Sequence, residues 1–160
     1  MRIQLKISDF ARIADITRFQ SSGLLAEVFA SRPLGRKGRG SHRTFSPQEL
    51  LVFVVAREIE QKYGVRRSTL ALAGDQLRQT LTGPRPASRE ARLVVTFDPP
   101  SVAYLDPGAQ AEEGLVLKLG AMFGKVDEYL GVSGPNRDSA PELPLRPVIA
   151  AGRRGGSRSR

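Results

Sequence analysis

The chain has no cysteine and a single histidine, His42. The first absence excludes disulfides, and the second leaves no nitrogen and sulfur donors from which a zinc-type site could be assembled. The carboxylates are scattered and none follows the loop spacing of a calcium site, so neither a metal nor a cofactor is expected. Long apolar runs are missing as well. The longest, Leu50 to Ala56, covers 7 residues, against about 20 for a membrane span, so no membrane partner is expected. The first ten residues alternate polar with apolar side chains and lack the continuous apolar stretch of a secretory signal, which predicts a cytoplasmic location. The glycine cluster from Gly35 to Gly40 lacks the lysine and serine that close a nucleotide-binding loop. With no cysteine and a lone histidine in a basic loop, no catalytic residue can be named, and an enzyme is not expected.

What is present is charge, and its placement matters more than its total of +9. Residues 1 to 92 carry 17 Lys/Arg against 8 Asp/Glu, residues 93 to 130 carry 2 against 6, and residues 131 to 160 carry 6 against 2. A basic module, an acidic insert and a basic tail are separate electrostatic objects, and only the first joins its charge to a pattern that can fold. At 160 residues with 40% hydrophobic content, the chain fits one domain or a small module plus an accessory unit.

Helical patterning opens the chain. Ser8 is suited to N-cap a first helix, with Ile7, Phe10, Ile13 and Ala14 on one face. Thr17 and Gln20 fit a capping box for a second helix whose buried side is Leu24, Leu25 and Val28. Two short helices joined by so brief a turn form a helix-turn-helix unit, the second helix of which ordinarily enters the major groove of DNA. That places Thr17, Arg18, Gln20, Ser21 and Ser22 at the groove-facing end.

The next stretch, Ser31 to Thr44, holds Arg32, Arg36, Lys37, Arg39 and Arg43, three glycines and no acid. Lying between a recognition helix and a third helix, it has the position of a wing, with Arg36, Lys37, Arg39, His42 and Arg43 as candidate contacts to phosphates and the minor groove. Ser46-Pro47-Gln48-Glu49 then gives an N-cap, a first-turn proline and a capping-box acid, and Gly64 marks the end of the helix so begun. A fourth helix is predicted from Ser68 to about Leu81, with Leu70, Ala73, Leu77 and Leu81 on one stripe. Thr82 to Pro86 breaks the pattern.

The string Gly40-Ser41-His42-Arg43-Thr44-Phe45-Ser46-Pro47-Gln48-Glu49-Leu50 resembles the wing-to-helix segment of the MerR family of bacterial and phage regulators. Ile7 to Ala14 is similar to that family's first helix, and Gly64 to Leu70 to the start of its fourth. The resemblance spans about residues 5 to 81. It implies that Arg43 is the wing arginine against the DNA backbone and that Phe45 pins the wing to the core. Where the family has an arginine and paired aromatics after the cap, this chain has Gln20-Ser21-Ser22-Gly23, so base readout does not carry over. The family's long antiparallel dimerisation helix is missing, and so are the cysteines of its metal-responsive members.

Beyond residue 91 the period changes. Arg92 to Phe97, Val102 to Leu105, and Leu115, Leu117 and Leu119 read as a small β-meander. Met122, Phe123, Val126, Tyr129 and Leu130 follow at helical spacing, up to Gly131. So thin a unit is marginal alone, and it is expected to pack on the first module or on a second copy. Phe97, Tyr104 and the five helical residues just named are the dimerisation candidates. A small-molecule effector pocket is the weaker option here.

The expected architecture is therefore mainly α with a small β component. A winged helix-turn-helix of four helices plus wing occupies residues 1–82, a linker 83–91, and a β-β-β-α dimerisation or accessory unit 92–131. Residues 132–160 are expected to form a disordered tail rich in proline, glycine and arginine. The expected function is a sequence-specific regulator that binds double-stranded DNA as a homodimer, associated with the nucleoid, with RNA polymerase as a candidate partner. The alternatives are a DNA-architectural or excisionase-like factor, and a protein-interaction adaptor such as an antitoxin or polymerase-binding factor.

Overall fold

The first two helices form because each has a chemical stop at its start. In a computed structural model, which describes residues 3–30, 44–88 and 90–131, α1 spans Ile7–Ala14 and α2 spans Arg18–Val28. Asp9 reaches back so that its Oδ2 accepts the backbone N–H of Lys6 at 2.7 Å, and α1 therefore starts at Ile7, two positions earlier than a Ser8 cap would allow. Asp15, in the left-handed region at φ 52°, ends it. At α2 the predicted box is formed in both directions: Gln20 N–H donates to Thr17 Oγ1 at 3.2 Å, and Thr17 N–H donates to Gln20 Oε1 at 3.1 Å.

Helix α3, Pro47–Tyr63, is the axis of the fold. Ser46 and Glu49 cap it reciprocally, at 3.2 and 2.7 Å, and Gly64 closes it at φ 64°. Every residue from Glu49 to Ala56 is buried, because α3 touches α1, α2 and three further helices at once. Burial of this kind stabilises by about 1.5–3 kcal/mol for each Leu, Val or Phe side chain.

The single helix expected from Ser68 to Leu81 is two: α4, Arg67–Leu72, and α5, Gly74–Thr82, with Ala73 between them. The cause of the break is proximity to α2. A Cβ built on Gly74 would lie 2.5 Å from the Val28 carbonyl oxygen, so the chain turns where its backbone presses on the end of α2. The apolar stripe survives the break, with Leu70, Ala73, Leu77 and Leu81 all buried.

Strands β1 (Arg92–Phe97), β2 (Pro100–Leu105) and β3 (Leu115–Lys118) form an antiparallel sheet in the order β2-β1-β3. A meander would have put β2 in the centre. The centre belongs to β1, whose Leu93 and Val95 are fully buried, whereas β2 has no buried residue and suits an edge. The link of residues 106–114 is long enough to carry β3 round to the far side of β1. Each edge strand also receives a bond from a helix: Thr80 Oγ1 donates to the Val102 carbonyl at 3.1 Å, and Tyr63 Oη to that of Val116 at 3.2 Å.

Helix α6, Gly120–Tyr129, follows and packs on α3 and α1. Among the described residues the fold is thus mixed α/β, with six helices and one small sheet, and a single apolar cluster runs from Leu5 through α3 to Leu93, Leu117 and Val126. No helix among them is long and apolar enough to cross a membrane. The expected tail at 132–160 lies outside the described residues.

Candidate functional site

Leu5 and Phe45, 40 positions apart, form an isolated antiparallel bridge: Leu5 N–H donates to the Phe45 carbonyl at 3.0 Å and Phe45 N–H to that of Leu5 at 2.9 Å. Both side chains are buried, and the Phe45 ring lies 4.7 Å from that of Phe10 and 6.5 Å from that of Phe29. Phe10 in turn meets Phe53 edge-on at 5.0 Å. The bridge fixes where the chain re-emerges at Thr44 after the basic stretch. The candidate wing residues Arg36, Lys37, Arg39, His42 and Arg43 lie outside the described residues.

Beside this bridge is a cleft of about 450 Å³ lined by Lys6, Ile7, Ser8, Arg18, Ser22, Leu25, Ala26 and Phe45. Two of the five residues expected to face a groove, Arg18 and Ser22, therefore share a wall with Lys6 and with the root of the basic stretch. Thr17 and Gln20 are exposed but tied to each other as the cap of α2. Ser21 is removed from the set. It is fully buried, because it sits on the same helix face as Leu24, Leu25 and Val28, and its hydroxyl has no hydrogen-bond partner.

Sequence reasoning also passed over Phe19, which is 87% exposed at the start of α2. A Cβ at Gly23 would come within 2.6 Å of the Arg67 guanidinium, the far end of a side chain from α4. Arg67 Nε donates to Glu60 Oε1 at 2.7 Å and Arg57 Nη1 to Glu60 Oε2 at 2.8 Å, which ties α3 to α4 behind α2. Burial pushes the Glu60 carboxyl up, but the hydrogen bonds and charges of Arg67 and Arg57 outweigh it and hold the group below its ordinary value.

The seven dimerisation candidates are engaged within one chain. Met122 and Val126 are buried in the core, while Phe97, Tyr104, Phe123, Tyr129 and Leu130 pack against it half-buried. Phe123 also lies under the Arg85 guanidinium at 4.7 Å, and Arg85 donates to Asp127 at 2.9 and 3.1 Å. The physical reason is the thin core of the sheet unit, which is completed by the helices beside it. Burial raises the Tyr104 phenol, an effect that the charge of Arg85 opposes.

On another face, a groove of about 330 Å³ between α3 and α6 is lined by Arg57, Lys62, Lys118 and Lys125, with Glu58 as its one acid. No single stretch of sequence marks it, since its cations come from three elements. Among the described residues no group of histidines and carboxylates could hold a metal ion. No family model, curated protein or solved structure matches the chain.

Proposed function

We propose that the chain is a sequence-specific regulator that binds duplex DNA, with α1 and α2 as the helix-turn-helix, α2 in the major groove, and residues 31–43 as the wing of a divergent MerR-like module. The observation that carries this reading is the Leu5–Phe45 bridge, which brings the root of the most basic stretch of the sequence beside Lys6, Arg18 and Ser22. The first turn of α2 has no acid, and its N-terminus carries the positive end of the helix dipole. Lys6 and Arg18 therefore line one cleft with Phe45, two residues beyond Arg43 in the sequence, where a phosphate backbone would run.

The proposed working form is a cytoplasmic, nucleoid-associated homodimer, because two half-sites engaged together give a reader this small its affinity. Its interface would use surface other than the buried Met122 and Val126. The test is titration of the full chain against a random duplex at several salt concentrations. Binding should weaken steeply with salt, log–log slope falling by roughly 0.9 for each phosphate neutralised, and Arg18→Ala and Arg43→Ala should each flatten it. Absence of duplex binding at low salt would defeat the reading, and footprint spacing reports the dimer.

A further inference from the structure

Phe19 is the most exposed large apolar side chain among the described residues, and nothing in the fold requires it. It stands second in α2, next to Arg18, and side chains in a first turn tilt beyond the helix end, away from the protein. Behind it on the same face come Ser22, Gly23 and Ala26, all small, with the Arg67 guanidinium lying over Gly23. The one acid of the helix, Glu27, is at the other end.

We propose that Phe19 is a specificity-determining residue that reads thymine in the major groove, its ring laid against the C5-methyl group. This rests on the reading of α2 as the groove helix. The thymine methyl is the one apolar feature that the major groove displays, and Phe is among the side chains that suit it. The ring discriminates in both directions. Against thymine it buries a methyl group; against cytosine it covers an amino donor for which it has no acceptor. Arg18 beside it and Lys6 across the cleft supply the charge that a duplex requires, so the apolar contact adds selectivity to an attraction already present.

The test starts from duplexes that the full chain selects from a random pool. Each thymine is replaced in turn by deoxyuridine, which differs only in lacking the methyl. Wild type should lose about three- to ten-fold in affinity at one or two positions per half-site, the range expected for one buried methyl. Phe19→Ala should bind thymine and deoxyuridine duplexes equally, with the wild-type salt slope, since no phosphate contact is removed. Phe19→Leu should keep part of the preference. An unchanged thymine preference in Phe19→Ala, or no sensitive thymine in wild type, overturns this proposal while leaving DNA binding intact. Failure to select any duplex overturns both. Phe19 is outside the core, so the variants should unfold at the wild-type temperature.

Discussion

Tyr129 Oη donates to Asp9 Oδ1 at 2.8 Å, across 120 positions of sequence. The same carboxylate caps α1 through its other oxygen, which accepts from Lys6 N–H. One side chain thus starts α1 and anchors α6, so the unit after residue 91 bears on the geometry of α1 and on the wall of the cleft that Lys6 lines.

Tyr129→Phe should lower stability by about 1.5–3 kcal/mol, the usual range for a hydrogen bond to a charged acceptor. Urea denaturation reads this as a lower midpoint with unchanged slope. Burial, joined by the bond to Asp9 and its charge, raises the Tyr129 phenol above its ordinary value, with Arg12 opposing. The unfolded chain therefore releases this proton first. The contribution is full below the unfolded phenol value of about 10 and is lost as pH rises through the folded value. The gap between wild type and variant should close in alkali.

Glu60→Gln removes the charge that holds Arg57 and Arg67 together and should cost about 1–3 kcal/mol at neutral pH, given that the three side chains are mostly buried. Because the folded carboxyl titrates below its unfolded value, the contribution is present above that value and disappears as pH falls through the folded one. Wild type and variant should therefore differ at pH 7 and converge in acid. A difference that persists undiminished at low pH would show that charge is not the cause.

Local chemistry was legible in the sequence. Thr17, Ser46 and Gly64 begin and end helices where the capping rules place them, because those signals act within four residues. Phe45, just before the α3 cap, is buried against Phe10 and Phe29. What the sequence hid depends on distant neighbours. Ser21 is polar and sits beside a cap, yet the packing of α2 turns it inward; Ala73 is a good helix former, yet the close approach of Gly74 to Val28 breaks the helix there. The order of the strands follows from which one is buried on the helices, and strand-by-strand periodicity carries no information about that.

Gly74→Ala should destabilise even though alanine is the better helix former by about 1 kcal/mol. Its Cβ would meet a backbone carbonyl at 2.5 Å, which cannot rotate away, so α2 and α5 must separate. The expected net loss is about 1–3 kcal/mol. Thermal unfolding measures it, with Gly124→Ala as a control, since a Cβ there meets nothing within 4 Å.

Ser21→Ala separates a packing role from a reading role. Removing a buried hydroxyl that has no partner should raise stability by about 1 kcal/mol, and duplex affinity should not change. Arg18→Ala should do the reverse, weakening duplex binding with little effect on stability, since its side chain is exposed. A loss of affinity in Ser21→Ala at full stability would return Ser21 to the reading surface.

Phe45 gives the sharpest test of the link between packing and binding. Phe45→Leu retains most of the apolar volume but loses the ring contacts to Phe10 and Phe29, a cost of about 1–2 kcal/mol, whereas Phe45→Ala should cost about 3–5 kcal/mol. Phe53→Leu loses a comparable contact, the edge-on one to Phe10, in the centre of α3. If the packing of the Phe45 ring, beyond the main-chain bridge, orients the basic stretch, Phe45→Leu should weaken duplex binding several-fold well below its unfolding temperature. Phe53→Leu, similarly destabilised, should bind as wild type does. Equal affinities for the two variants would mean that the main-chain bridge to Leu5 orients the root of the basic stretch without the Phe45 ring.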